Sequence, residues 1–124
     1  MQITQNSPDA HKLIRLYDTE GFEIGGIRYQ GGIIVSRDLT NDWNFKDDPS
    51  SLRIEDFLSS HNLQNIDVLL VGTGKKFIMA PKDLSVELRT KGIGVEFMDT
   101  GAACRTYNVL VSEERNVAAA LLPI

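Results

Sequence analysis

The sequence predicts an α/β fold built on a largely parallel sheet, with a small antiparallel β unit ahead of it. Three observations carry this. Residues 66–71, Ile-Asp-Val-Leu-Leu-Val, form a short apolar run that ends on Gly72-Thr73-Gly74. A helix-like stretch over 81–91 links it to a second strand-like run, Gly94-Val-Glu-Phe-Met98, which ends on Asp99-Thr100-Gly101. A further amphipathic stretch then leads to Val117-Ala-Ala-Ala-Leu-Leu122. Strand, helix, strand, helix, strand in succession favours parallel pairing through right-handed crossovers.

The first of these runs has five apolar residues in six. Continuous Val, Leu and Ile at strand length read as a strand covered on both faces. The helix after it has Pro81 at its first turn and Gly92 just past its end, the usual asymmetry of helix termini. Leu84 and Leu88 share one of its faces. The next helix can be capped by Asp99 or Thr100, and Ala103, Tyr107, Leu110 and Val111 recur at i, i+4, i+7 and i+8. Arg115-Asn116 breaks that pattern, and 117–122 reads as the last strand. The tight link before it leaves two placements open: an antiparallel edge, or a position inside the sheet.

The N-terminal third is punctuated by glycine. Residues 13–17, 22–24 and 27–29 are short strand-like runs separated by turns, and Gly31-Gly32 introduces another apolar strand at 33–36. Together they predict a small antiparallel β unit. Residues 38–49 are polar and turn-rich, with Trp43 and Phe45 isolated among them. Packing of Trp43 on the sheet is favoured over a role as partner anchor. A helix is expected from Leu52, capped by Ser50 or Ser51, with Ile54, Phe57 and Leu58 on one face and Asn62 as its stop. Residues 1–10 read as a loose lead-in to a single domain spanning 1–124.

Composition narrows the function. The chain has 124 residues, 42% hydrophobic and 24% charged, as expected of a soluble globular domain. No apolar run approaches the ~20 residues needed to span a bilayer, so no membrane insertion is expected. The polar N-terminus lacks the basic flank and apolar core of a signal or transit peptide. One cysteine makes no internal disulfide, which fits a reducing cytoplasm. Residues 1–62 hold 6 Lys/Arg against 10 Asp/Glu and residues 63–124 hold 7 against 7, so the net charge of −4 lies wholly in the first half. Phosphate neutralisation needs a basic face, and Lys75-Lys76 is too short to make one, so nucleic acid is excluded as an expected partner. The acidic half suits a basic protein partner, although a solvated face is the favoured reading.

Candidate sites are few. Gly72-Thr73-Gly74 follows a central strand, where open α/β sheets bind ligands. It matches neither dinucleotide nor phosphate-loop spacing. The plain alternative is a turn needing glycine. Thr100 starts a helix whose free amides attract anions, and capping is the competing reading. With Tyr107 and Asn108 on the same helix, these residues make a candidate cleft for a small anion: Gly72, Thr73, Gly74, Thr100, Tyr107 and Asn108. Tyr107 is most simply a core aromatic, and Asn108 suits tying a loop to the helix. Cys104 beside Arg105 has no base to activate it, because His11 and His61 both fall in polar stretches read as exposed. A buried structural thiol is favoured. Asp38, Asp42, Asp47 and Asp48 lack the spacing of a calcium loop, and no Cys/His spacing suits zinc. No catalytic residue, metal or cofactor is expected.

Val71-Gly-Thr-Gly74, Pro81, Gly92-Ile-Gly-Val-Glu-Phe-Met-Asp-Thr100, Ala103, Thr106-Tyr-Asn108 and Val117-Ala-Ala-Ala-Leu-Leu-Pro123 stand in an order that resembles one widespread family of small α/β proteins. It includes a mitochondrial respiratory complex I assembly factor and an adipogenesis-associated human protein. Tyr29-Gln-Gly-Gly-Ile33 and the Trp43 segment extend the resemblance to roughly residues 10–123. It implies a three-layer α/β fold with an added N-terminal β-hairpin layer. It also implies assembly through protein contacts rather than an established reaction. The chain then looks like a bacterial member: a non-catalytic protein-binding module, with a small-molecule or anion-binding domain as the alternative and an enzyme behind both.

Overall fold

A computed structural model describes residues 13–124. The expected lead-in at 1–10 and His11 lie outside the described residues. Three short strands, β1 (Ile14–Tyr17), β2 (Gly21–Ile24) and β3 (Ile27–Gln30), form an antiparallel meander in the order β1-β2-β3. The β1–β2 turn is held by Asp18. Its carboxylate accepts from Glu20 N at 2.9 Å and Gly21 N at 3.0 Å and pairs with Arg28 at 2.8 Å. The Arg28 hydrogen bond, with those amides, holds the Asp18 carboxyl down at about 2.

The main sheet has five strands in the order β5-β4-β8-β6-β7. These are β4 (Ile33–Ser36), β5 (Thr40–Asp42), β6 (Val68–Gly72), β7 (Gly94–Met98) and β8 (Val117–Leu121). As expected, β6 lies beside β7, in parallel, with five residues in register from Val68↔Gly94 to Gly72↔Met98. The structure corrects two sequence expectations. Residues 33–36 do not belong to the N-terminal β unit: β4 pairs antiparallel with β8 in the main sheet. Residues 40–42 are not loop but the edge strand β5, antiparallel to β4. Of the two placements left open for the last strand, the structure has the one inside the sheet: β8 takes the middle position, parallel to β6 and antiparallel to β4.

Three α-helices complete the fold: α1 (Ile54–Leu58), α2 (Lys82–Thr90) and α3 (Thr100–Ser112). The start of α1 differs from expectation. Asp48, not Ser50 or Ser51, caps a 3-10 turn at Pro49–Ser51 by accepting from Ser50 N. The helix begins only at Ile54, where Asp56 accepts from Arg53 N at 2.9 Å. Leu58, expected on the buried face, is exposed and ends the helix.

Strand alternation divides the core into two layers. Ile34, Leu69, Val71, Ala118 and Ala120 face Trp43, Phe57 of α1, and Leu84 and Leu88 of α2. Ile33, Val35, Leu70, Ala119 and Leu121 face Ala103, Tyr107 and Val111 of α3 and Phe22 and Ile24 of the small sheet. The result is three layers, with α1 and α2 on one face of the main sheet and α3 with the small sheet on the other. Two right-handed crossovers running in opposite directions across one sheet place their helices on opposite faces. Here α2 carries the chain outward to β7, and α3 carries it back over β6 to β8. Trp43 is 2% exposed, stacks on Phe45 and Phe57 and donates from Nε1 to Asp56 O at 2.8 Å. It is a core residue.

Candidate functional site

The carboxyl ends of β6 and β7 lie where the chain leaves toward opposite faces, the usual location of a binding crevice in an open α/β sheet. Gly72, Thr73, Gly74 and Thr100 meet there. Gly72 ends β6 between Met98 and Leu121. A Cβ on it would fall 2.8 Å from Thr100 Oγ1 and 3.0 Å from Thr100 Cα, so only glycine fits. Gly74 has φ +96°, a left-handed value that glycine adopts readily. The backbone amides here are used internally. Thr73 N donates to Met98 O at 2.9 Å, and Thr100 N donates to Gly74 O at 2.9 Å. Gly74 N donates to Thr100 Oγ1 at 2.8 Å, and that hydroxyl donates to Leu122 O at 2.6 Å. Leu122 N closes the ring on Gly72 O at 3.0 Å. Asp99 caps α3 by accepting from Ala102 N at 2.9 Å.

Tyr107 and Asn108 stand two turns further along α3, about 10 Å from Thr100 by helix rise. Tyr107 is fully buried among Phe22, Ile24, Leu70 and Leu121. Asn108 ties α3 to the small sheet: its Oδ1 accepts from Ile14 N at 2.8 Å and its Nδ2 donates to Ile14 O at 2.9 Å. The side chain thereby acts as one more hydrogen-bonding neighbour for β1.

Residues 75–81 leave this ring as a loop over the strand ends. Thr73 holds the loop through its hydroxyl, which donates to Lys76 O and accepts from Ile78 N at 3.2 Å. Held this way, the loop displays Lys75, Lys76, Phe77 and Met79 to solvent, with Phe77 57% and Met79 74% exposed. The sequence reading missed these two. Their signal was an apolar pair in a glycine-initiated loop that fits neither helical nor strand periodicity.

Cys104 is buried, and burial pushes its thiol up to about 12, only partly offset by Arg105. His61 is the correction: it was read as exposed and is 5% exposed. Its Nδ1 accepts from Leu63 N at 2.8 Å, which places the ring proton of the neutral form on Nε2, 3.1 Å from Ser36 Oγ. Burial lowers its pKa, against the pull of Asp38. Among the described residues, no group of three or more His, Cys, Asp or Glu is placed to hold a metal ion. No helix among them is long and apolar enough to cross a membrane.

Several known proteins are similar to this chain. An uncharacterised protein of Rhodobacter capsulatus is 40% identical over 83% of this chain and 77% of its own length. NADH dehydrogenase [ubiquinone] 1 alpha subcomplex assembly factor 3 of Xenopus tropicalis is 37% identical over 89% of this chain, which spans 60% of that protein. A crystal structure of a Bordetella parapertussis protein superposes with a TM-score of 0.81 at 32% identity, covering 90% of this chain and 95% of that one. The solution structure of a Mth938-like domain from Bordetella pertussis superposes with a TM-score of 0.76 at 27% identity, over 99% and 92%. Residues 14–122 match the family model described as protein of unknown function (DUF498/DUF598), and the chain belongs to that family.

Proposed function

We propose that this chain is a non-catalytic protein-binding module of the cytoplasm, an assembly or chaperone-like factor acting as one domain. Its docking end is the carboxyl end of β6 and β7. The observation that carries this reading is the loop at 75–81. Phe77 and Met79 stand exposed on a backbone that Thr73 pins in place. Aromatic residues and Met are enriched at protein interfaces, and a pre-ordered anchor loses less entropy on binding. Lys75 and Lys76 beside them suit an acidic partner surface. The Xenopus relative is an assembly factor by name, which supports the same reading; assembly of a respiratory complex is its most specific form.

Gly72, Thr73, Gly74 and Thr100 are then the frame that shapes this end, while Tyr107 and Asn108 brace α3 behind it. The alternative, a small anion held in the cleft, requires the Thr100 hydroxyl to give up Gly74 N. Protein docking asks for no such rearrangement. The test is affinity capture from the native cytoplasm with wild-type chain and with the F77S/M79S double variant. A protein held in fixed ratio by wild type and lost by the variant, at unchanged Tm, supports the proposal. Identical retention by both sinks it. A metabolite or anion retained without a protein favours the alternative.

A further inference from the structure

A second concave site lies at the opposite end of the main sheet, at the amino ends of β6 and β8. Three separate segments meet there. The antiparallel pairing of β4 with β8 sets Ser36 opposite Ala118, so Arg37 and Asp38 emerge beside Arg115 and Asn116. The segment after α1, including His61 and Asn65, closes the third side. The cleft between them has a volume of about 360 Å³, within the range of small-molecule sites. We propose that it binds a small solute bearing a carboxylate or a phosphate group.

Charge is the first reason. Two arginines, Arg37 and Arg115, and one acidic residue, Asp38, line it, so the charged lining totals +1 in a chain of −4. Guanidinium groups present paired N–H donors that match carboxylate and phosphate oxygens. Arg37 is steadied from behind by a hydrogen bond from Nη2 to Val111 O at 3.3 Å. Asn65 adds a neutral side-chain amide to the same lining, and beside it Asn116 donates from Nδ2 to Asp67 Oδ2 at 3.4 Å.

Fixed walls are the second reason. His61 is locked between Leu63 N and Ser36 Oγ, which joins the 61–66 segment to the end of β4. Among the described residues, the non-glycine residues with left-handed backbone, Leu63 (φ +58°), Asn65 (φ +63°) and Glu114 (φ +61°), all belong to or adjoin the segments that build this cleft. Leu63 is offset by burial of its side chain in the core, and Glu114 forms the C-terminal turn of α3, where Arg115 N returns to Leu110 O at 3.0 Å. Asn65, itself one of the three, and Arg115, which follows Glu114, both line the cleft. Backbone in sparsely populated regions persists where its surroundings over-determine it, and such positions cluster at ligand sites.

The test uses the full chain labelled with 15N and titrated separately with citrate and with inorganic phosphate. The expected result is saturable shift changes confined to 36–39, 61–66 and 115–117 with at least one of the two. Whichever anion saturates names the group recognised. Arg115→Ala removes an exposed side chain and should weaken that binding about tenfold or more, and Arg37→Gln provides the same reading from the other wall. Lys75→Ala, at the far end, should bind as wild type does. The proposal is overturned if neither anion saturates, if Arg115→Ala and Arg37→Gln bind like wild type, or if the shifts centre on Gly74 and Lys75. The last outcome would place the anion at the carboxyl end instead.

Discussion

Replacing Thr100 with Val tests the frame that shapes the carboxyl end of the sheet. The substitution preserves shape and deletes one hydroxyl. That hydroxyl accepts from Gly74 N at 2.8 Å and donates to Leu122 O at 2.6 Å, and Thr100 is 0% exposed. Valine therefore leaves a buried N–H and a part-buried carbonyl without partners. A buried group left unsatisfied costs about 1–3 kcal/mol. Gly74 N is fully enclosed and belongs at the upper part of that range, while Leu122 O is partly reachable by water and belongs lower. The sum is about 2–4 kcal/mol. Unfolding entropy near 2.1 cal/mol/K per residue over 124 residues makes this a fall in Tm of about 8–15 °C. Thr100→Ser keeps both bonds and loses one buried methyl, about 1 kcal/mol. Urea unfolding of the three proteins at a common m-value measures the difference. Hydrogen exchange at Gly74 and Ile78 should accelerate in the Val variant before global unfolding does. A Val variant within about 0.5 kcal/mol of wild type, or a Ser variant as damaged as the Val one, would refute the reasoning.

Three further outcomes follow from single side chains. Cys104 should react with a thiol reagent far more slowly in the native protein than in denaturant, because burial withholds both access and thiolate; equal rates would revive a catalytic role. Gly74→Val forces a β-branched side chain into φ +96° with its Cβ 3.4 Å from Pro123 O, and should cost about 1–3 kcal/mol by urea unfolding; a neutral result would mean the turn relaxes freely. The native pKa of His61 lies below its ordinary 6.5, so protons bind the unfolded chain first. Stability should be full above pH 6.5 and fall as pH drops from 6.5 toward the depressed native value. His61→Gln should flatten that part of the urea-midpoint profile, and an unchanged slope would rule His61 out as its source.

Local signals carried much of this fold. The uninterrupted apolar run of β6 means burial on both faces, and both core layers touch it. Pro81 and Gly92 bracket α2 because each suits a helix end for backbone reasons alone, and Gly92 indeed has φ +80°. Placement across the sheet was less legible. Ile33-Ile-Val-Ser36 is apolar enough for any covered strand, and nothing in those four residues distinguishes pairing with β3 from pairing with β8. The position of β8 depends on which way the α3 crossover returns, a choice made by the whole sheet. Thr-Asn-Asp at 40–42 is polar because an edge strand has one partner and open solvent, so it reads as loop. His61 is buried through Ser36 and Leu63, contacts that lie 25 and 2 residues away, and only the nearer belongs to its own segment.

The same topology explains why the two ends of the sheet differ. At the carboxyl end, α2 and α3 diverge to opposite faces and leave the crevice expected of this architecture. The space is then closed by the chain itself: Thr100 projects onto Gly72, and Leu122 caps Thr100 from the central strand. What the crevice would have offered as free donors becomes a rigid mount for the loop carrying Phe77 and Met79. At the amino end no such plug forms among the described residues. The links entering β6 and β8 arrive from α1 and α3, and the end of β4 runs out beside the start of β8 because it is antiparallel to β8. Antiparallel entry of one strand therefore brings Arg37 to the side where Arg115 begins its own strand. A purely parallel sheet of the same sequence elements would have put Arg37 at the other end. The proposed docking loop and the polar cleft thus fall at opposite ends of β6, which is why variants at Phe77 and at Arg115 are expected to separate.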